Sequence, residues 1–226
     1  MKADLHIHTY YSHDGSSSPK RIIEVALARR IKCLAITDHQ EIKGATEVLK
    51  IAFDKNILVI PGIEIKSKEG DILGLNIKKI IPRGLSAIET IREIKKLGGF
   101  AILPHPFSWP NPFKFRKTNL KELISLIDAV EVLNGSDFSW LNQKALKFSQ
   151  KHSLPFTAGS DAHHHSFVGR VYLELKEINS VEEIFAEIKK KSVILGGKEI
   201  SFLEIMKDKS LKTMKIIKNL FYARRK

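Results

Sequence analysis

Cys33-Leu34-Ala35-Ile36-Thr37 runs straight into Asp38-His39, and this short stretch decides how the chain is read. It is an apolar, β-rich run that ends in two chemically reactive side chains. Ahead of it, Pro19–Arg30 carries an amphipathic helical pattern, with Ser18 as N-cap and Pro19 at the first helical position. The alternation continues along the chain. Further strands are predicted at Ala3–Ile7, Ile57–Pro61, Ile72–Asn76, Phe100–Leu103, Ala129–Leu133, Phe156–Ala158, Val171–Leu175 and Val193–Leu195. Helices are predicted at Lys43–Asp54, Ser86–Leu97, Asn119–Ile127, Phe138–His152 and Ser180–Lys190, the last opened by a Ser180/Glu183 capping box. Strands separated by helices imply parallel pairing in an α/β fold, and this many strands suits a barrel better than an open sheet. One connection, from Ile57–Pro61 to Ile72–Asn76, lacks a helix, and Lys66–Gly70 reads as its turn.

The bulk properties agree with a single barrel. The chain has 226 residues, 43% of them hydrophobic and 28% charged, a globular composition. A lone cysteine, Cys33, excludes an internal disulfide framework and fits a reducing compartment. No apolar stretch is long enough to span a bilayer, and the opening residues lack the apolar core of a signal peptide. A cytoplasmic location is therefore expected. The net charge of +13 is unevenly spread, since residues 207–226 hold eight basic groups and one acid. Such an excess favours anionic partners such as phosphate esters or nucleic acid.

Chemistry gathers where strands end. Asp4, His6 and His8 alternate along the first strand and share one face. Later strands run into Asp38-His39, Glu64, His105, and Asp161 with His163, while Glu131 lies inside its strand. In a parallel barrel these carboxyl ends open on one face, so residues distant in sequence converge there. His6, His8, Asp14, His39, Glu64, His105, Glu131, Asp161 and His163 make nine candidate donors. Imidazoles mixed with carboxylates suit zinc, manganese or iron. Nine donors are too many for one tetrahedral ion and suit two or three divalent ions. Such a centre would supply an activated hydroxide and clamp a substrate's oxygens.

Asp4-Leu5-His6-Ile7-His8-Thr9, Ser12-His13-Asp14-Gly15, Thr37-Asp38-His39, Pro61-Gly62-Ile63-Glu64, Leu103-Pro104-His105-Pro106, Glu131-Val132-Leu133-Asn134 and Gly159-Ser160-Asp161-Ala162-His163 resemble the motifs of the PHP (polymerase and histidinol phosphatase) family. The resemblance covers about residues 2–175, in order. It implies a distorted (β/α)7 TIM-like barrel, a centre of two or three metal ions, and phosphoester hydrolysis. It also implies that the nine donors are the ligands, with Asp38 supporting His39. Two departures stand out. Gly70-Asp71-Ile72-Leu73-Gly74 has Asp71 where the family often has histidine, leaving Asp71 as a ligand or a proton relay. Ser12-His13-Asp14-Gly15 is one residue longer than the plainer form, which makes Asp14 the expected ligand and His13 its rival. His164 and His165 read as loop residues beside the motif.

Arg170, opening the Val171–Leu175 strand, is the first choice for gripping phosphate, because a guanidinium binds its oxygens bidentately. Lys66 is a second candidate. Asn134 would orient water or substrate, a turn before Gly135 being the simpler account. His163 is also a candidate proton donor to the leaving oxygen. Residues 1–200 are expected to form the barrel. Residues 201–226 are expected to form a basic amphipathic helix on or extending from it, with Leu203, Met206, Met214, Ile217 and Phe221 as its apolar stripe. The leading function is a metal-dependent phosphoesterase acting on a phosphorylated small molecule or nucleotide. A nuclease using the basic tail and the aromatic loop Phe107–Phe115 is the alternative, and a non-catalytic RNA-binding subunit is a third.

Overall fold

The computed structural model describes residues 1–108, 113–198, 201, 203–204, 206, 210 and 213–215. Among the described residues of 1–198, nine strands and six α-helices follow in order: β1 (Lys2–Ile7), α1 (Pro19–Ala28), β2 (Cys33–Ile36), α2 (Lys43–Ala52), β3 (Leu58–Lys66), β4 (Asp71–Leu75), α3 (Ala87–Lys96), β5 (Phe100–Leu103), α4 (Leu120–Leu126), β6 (Ala129–Asn134), α5 (Ser139–Lys151), β7 (Phe156–Gly159), β8 (Val171–Glu174), α6 (Val181–Lys189) and β9 (Ile194–Gly197). Local chemistry sets the helix starts. Ser18 accepts from the Arg21 amide ahead of Pro19, and Ser86 with Glu89 forms a full capping box on α3.

The strands form one sheet in the order β7-β6-β5-β4-β3-β2-β1-β8-β9. It curls into a nearly closed barrel. β1, β2 and β3 are mutually parallel, as are β5, β6 and β7. Closure is achieved at the upper half of β1, where His6 O accepts from Asp161 N at 2.8 Å and Ala162 O accepts from His8 N at 3.0 Å. At its lower half β1 pairs instead with β8, through Lys2 and Ala3. Gly159 permits the seam, since a Cβ there would lie 2.3 Å from His6 Cβ.

Pairing is less uniformly parallel than the helix–strand alternation implies. β4 and β5 are separated by α3 yet run antiparallel, as do β8 and β9 across α6. The β3–β4 hairpin has already reversed the chain, so residues 76–86 must climb back before α3 descends. Gly84 N donates to Lys66 O and Lys68 N to Leu85 O, which fixes that climb beside the hairpin turn. Consequently it is the first residue of β4, Asp71, that reaches the barrel mouth formed by the ends of the parallel strands.

The barrel interior is filled by Leu5, Cys33, Ala35, Ile60, Leu73, Phe100, Ile102 and Leu173 among others. Burial pushes the Cys33 thiol up and keeps it protonated, in keeping with a core role. Helices α1 and α2 cover β1 and β2 through Ile22, Ile23, Ala45 and Val48. The aromatic loop turns inward. Phe115 is fully buried, and Phe113 packs against Phe107, Phe115 and Phe148 at ring distances of 5.2–6.1 Å. Phe115 is core, and Phe107 and Phe113 are half-buried against it. Trp109-Pro110-Asn111-Pro112 lies outside the described residues. Of the apolar stripe expected in the tail, Leu203, Met206 and Met214 are exposed, whereas Ile217, Phe221 and the Tyr222–Lys226 end lie outside the described residues.

Candidate metal centre

β1 delivers His6 and His8 to the barrel mouth, and both rings are completely buried. Their Nε2 atoms lie 3.1 Å apart and converge on two carboxylates. Glu64 Oε2 is 3.3 Å from His6 Nε2 and 3.2 Å from His8 Nε2; Asp161 Oδ1 is 3.5 Å and 3.3 Å from the same atoms. Glu64 is the hub. Its Oε2 also lies 3.2 Å from His39 Nδ1, and its Oε1 lies 3.1 Å from His105 Nε2. A second convergence is formed by Asp14, His39 and His163, with Asp14 Oδ2 at 3.5 Å from His39 Nε2 and 3.1 Å from His163 Nε2. His13, the rival of Asp14, holds its ring largely in solvent with Nδ1 3.9 Å from Asp14 Oδ1. His6, His105 and Asp161 each place a donor atom within 4.8 Å of the other two.

The backbone is bent to aim these groups. His105 and Asp161 have φ of 28° and 50°, a left-handed region that costs a non-glycine residue about 1–3 kcal/mol. Glu131 serves differently from the other carboxylates. Its Oε1 is 3.0 Å from His6 Nδ1, and its Oε2 accepts from His105 N and from Asn134 Nδ2. Both oxygens are therefore committed to holding His6 and the His105 backbone. Asn134 is buried: its amide donates to Glu131, lies 3.5 Å from Asp161 Oδ2, and its Oδ1 accepts from Ser136 N. It positions carboxylates and makes the turn, rather than facing a substrate.

Asp38 bonds away from the His39 ring. It accepts from Thr9 N, Thr9 Oγ1 and Ser12 Oγ at 2.6–2.9 Å. Ser12 Oγ in turn accepts from His39 N and lies 3.0 Å from His8 Nδ1, so Asp38 steadies His8 through a hydroxyl. Gly44 leaves the room this needs, because a Cβ there would sit 1.9 Å from Asp38 Oδ2. Asp4 shares the strand face of His6 but not its destination. It accepts from the Ser160 and Gly169 amides, and burial pushes its carboxyl up to about 6.

Asp71 is buried with both oxygens paired, to Lys66 Nζ at 3.0 Å and Lys114 Nζ at 3.2 Å. Lys114 was not legible in the sequence. It falls between two core phenylalanines, and no spacing rule ties it to His105, whose Nδ1 lies 3.2 Å from its Nζ. Arg170 lies elsewhere: its guanidinium pairs with Glu204 and stacks over Phe167, against a pocket lined by Arg29, Gly169 and Lys198. The strand it opens pairs with β1 only at Lys2 and Ala3, and the contacts of its guanidinium are Glu204 and Phe167 rather than the cluster. His164 bonds to Ser166, and His165 starts a short 3-10 turn. Of the two groups expected to move a proton, His163 faces the cluster and Asp71 is held by the two lysines; Asp38, expected to support His39, is engaged by Thr9 and Ser12.

Electrostatics binds the cluster together. Burial disfavours a charged His6, but Asp161, Glu131 and Glu64 outweigh it and hold the imidazole well above its ordinary value. His8, equally buried, is carried to about 9 by Asp161 and Glu64. Burial would raise Glu64 and Asp14, yet the surrounding imidazoles keep both far below the usual carboxylate range. The donor set fits divalent ions. Imidazole nitrogens converging on carboxylate oxygens, and a buried Asp14 Oδ1 with no hydrogen-bond partner among the described residues, are what cations would satisfy.

A barrel with such a cluster at the mouth of its parallel strands defines the class of metal-dependent hydrolases. The comparisons narrow the class. A PHP-associated family model matches residues 139–193. Two uncharacterised proteins of Methanocaldococcus jannaschii are similar: one is 45% identical over 118 residues (48% of this chain, 69% of that protein), the other 31% over 224 residues (97% and 85%). A 3',5'-nucleoside bisphosphate phosphatase of Chromobacterium violaceum is 34% identical over 94 residues, covering 40% of this chain and 33% of that enzyme. Among solved structures, a two-domain Bacteroides vulgatus protein containing a predicted PHP-like metal-dependent phosphoesterase superposes with TM-score 0.72 at 19% identity, over 92% of this chain and 68% of that one. The chain belongs to the PHP domain family.

Proposed function

We propose that the chain is a metal-dependent phosphoric ester hydrolase acting on a phosphorylated small molecule or nucleotide. The observation that carries this reading is the convergence of His6, His8, His39, His105, His163, Asp14, Glu64 and Asp161 in one pocket at the barrel mouth. In this reading His6, His8, Glu64 and Asp161 hold one divalent ion, and Asp14, His39 and His163 another. Zinc, manganese and iron suit these donors. Bound there, such ions supply Lewis-acid stabilisation of charge developing on phosphoryl oxygens.

The chain's own groups do the rest. Glu131 fixes the His6 ring, leaving its Nε2 pointed into the cluster. Asp38 and Ser12 do the same for His8 from its Nδ1 side. Lys66, its side chain largely exposed, offers an ammonium at the rim that draws in a phosphate dianion. Partial likenesses to the bisphosphate phosphatase and, at 33% identity over 99 residues, to a 5'-3' exoribonuclease of Haemophilus influenzae both support phosphoester hydrolysis. Phe115 is committed to the core and Phe107 and Phe113 pack against one another and Phe148, which weakens one support for the nuclease alternative.

A panel of chromogenic phosphate mono- and diesters and nucleotides tests the proposal. Turnover abolished by EDTA and restored by Mn²⁺ or Zn²⁺ is expected. Protein at full metal occupancy that hydrolyses none of them overturns it.

A further inference from the structure

Glu64, Asp71 and His105 also bring donor atoms within 4.8 Å of one another, the spacing of a third ion site. A cation is already there. Lys114 Nζ lies 3.2 Å from Asp71 Oδ2 and 3.2 Å from His105 Nδ1, and only a small part of the lysine side chain reaches solvent. The other Asp71 oxygen faces Lys66 Nζ at 3.0 Å. The other ring nitrogen of His105, Nε2, lies 3.1 Å from Glu64 Oε1. What sets this position apart is that an ammonium already stands between Asp71 and His105, and that both Asp71 oxygens are paired with lysines.

Glu131 is spent on bracing His6 and the His105 backbone, and the other donors fall into the two sets named above, one around His6 and His8 and one around Asp14. We infer that the centre takes two divalent ions, and that the Lys114 ammonium stands as a built-in cation at the third position. Asp71 is thereby the partner of two lysines and no metal ligand. The inference rests on the metal-centre reading and deepens it, tying the replacement of histidine at position 71 to a lysine 43 residues away.

Metal stoichiometry tests this without any activity measurement. Chelator-stripped protein is dialysed against excess Mn²⁺ or Zn²⁺, and bound metal per chain is measured by elemental analysis. Wild type is expected to hold two ions, Lys114→Met three, and Asp71→Asn two. Three ions in wild type, two in folded Lys114→Met, or one in Asp71→Asn would each overturn the inference. If Lys114→Met does not fold, the wild-type and Asp71→Asn values still decide. Two bound ions with no hydrolysis of any ester would sink the hydrolase reading and leave this one standing. No bound ion at all would overturn both.

Discussion

Glu64→Gln tests the electrostatic account of the cluster most directly, using the metal-free protein. The carboxylate is 2% exposed and lies 3.1–3.3 Å from nitrogens of His6, His8, His39 and His105. Glutamine keeps the shape and removes the charge, so protonated imidazoles are left buried beside an amide. Losing one partner of a buried ion pair costs about 3–5 kcal/mol. In a chain of this size that lowers Tm by roughly 6–20 °C. The pH dependence gives the sign. His8 is raised from 6.5 to about 9 in the fold, so its contribution is complete below pH 6.5 and is lost as pH rises through about 9. Glu64 is depressed below 4.5, so its contribution is complete above that value and is lost as pH falls through its folded pKa. The deficit of Glu64→Gln is therefore largest between pH 4.5 and 6.5 and shrinks as pH rises through about 9, where His8 gives up its proton. Thermal melts of EDTA-treated wild type and variant across this range measure it. An equal deficit at both ends, or none in the acid window, refutes the reasoning.

Other expectations follow from the same geometry. Since His8 holds a proton up to about pH 9 in the metal-free cluster, Mn²⁺ binding near neutrality must expel protons and strengthen as pH rises. Calorimetry in buffers of different ionisation heat should show release of about one or two protons per chain, and zero release would contradict the assigned charges. Asp38→Asn should weaken metal binding ~10–100-fold while the fold survives, because Ser12 and Thr9 lose their anchor; competition with a chelator measures this, and unchanged affinity counts against the Ser12 relay. Gly159→Ala forces a methyl group to within 2.3 Å of His6 Cβ. It should cost at least about 1–3 kcal/mol in denaturant unfolding, and an unaltered midpoint would mean that the β1–β7 seam is looser than described.

Much of this protein was decided locally. Strands and helices arise from the period of apolar residues and from caps such as Ser18-Pro19 and Ser86/Glu89, interactions that span a few residues and are written in order along the chain. The site's raw material is local too, because parallel strands deliver whatever ends them to a common mouth. Tertiary structure decided the division of labour. Asp4 and His6 stand on the same strand face, yet Asp4 is consumed by the Ser160 and Gly169 amides while His6 enters the cluster. Glu131 and Glu64 are both strand-borne carboxylates, and only the neighbours met after closure make one a brace and the other a hub. The antiparallel pairing of β4 with β5, the capture of Arg170 by Glu204 and the arrival of Lys114 beside Asp71 depend on contacts across tens of residues. A side chain's type fixes what it can donate or accept; which partner satisfies it is chosen by the groups that folding brings within about 3 Å.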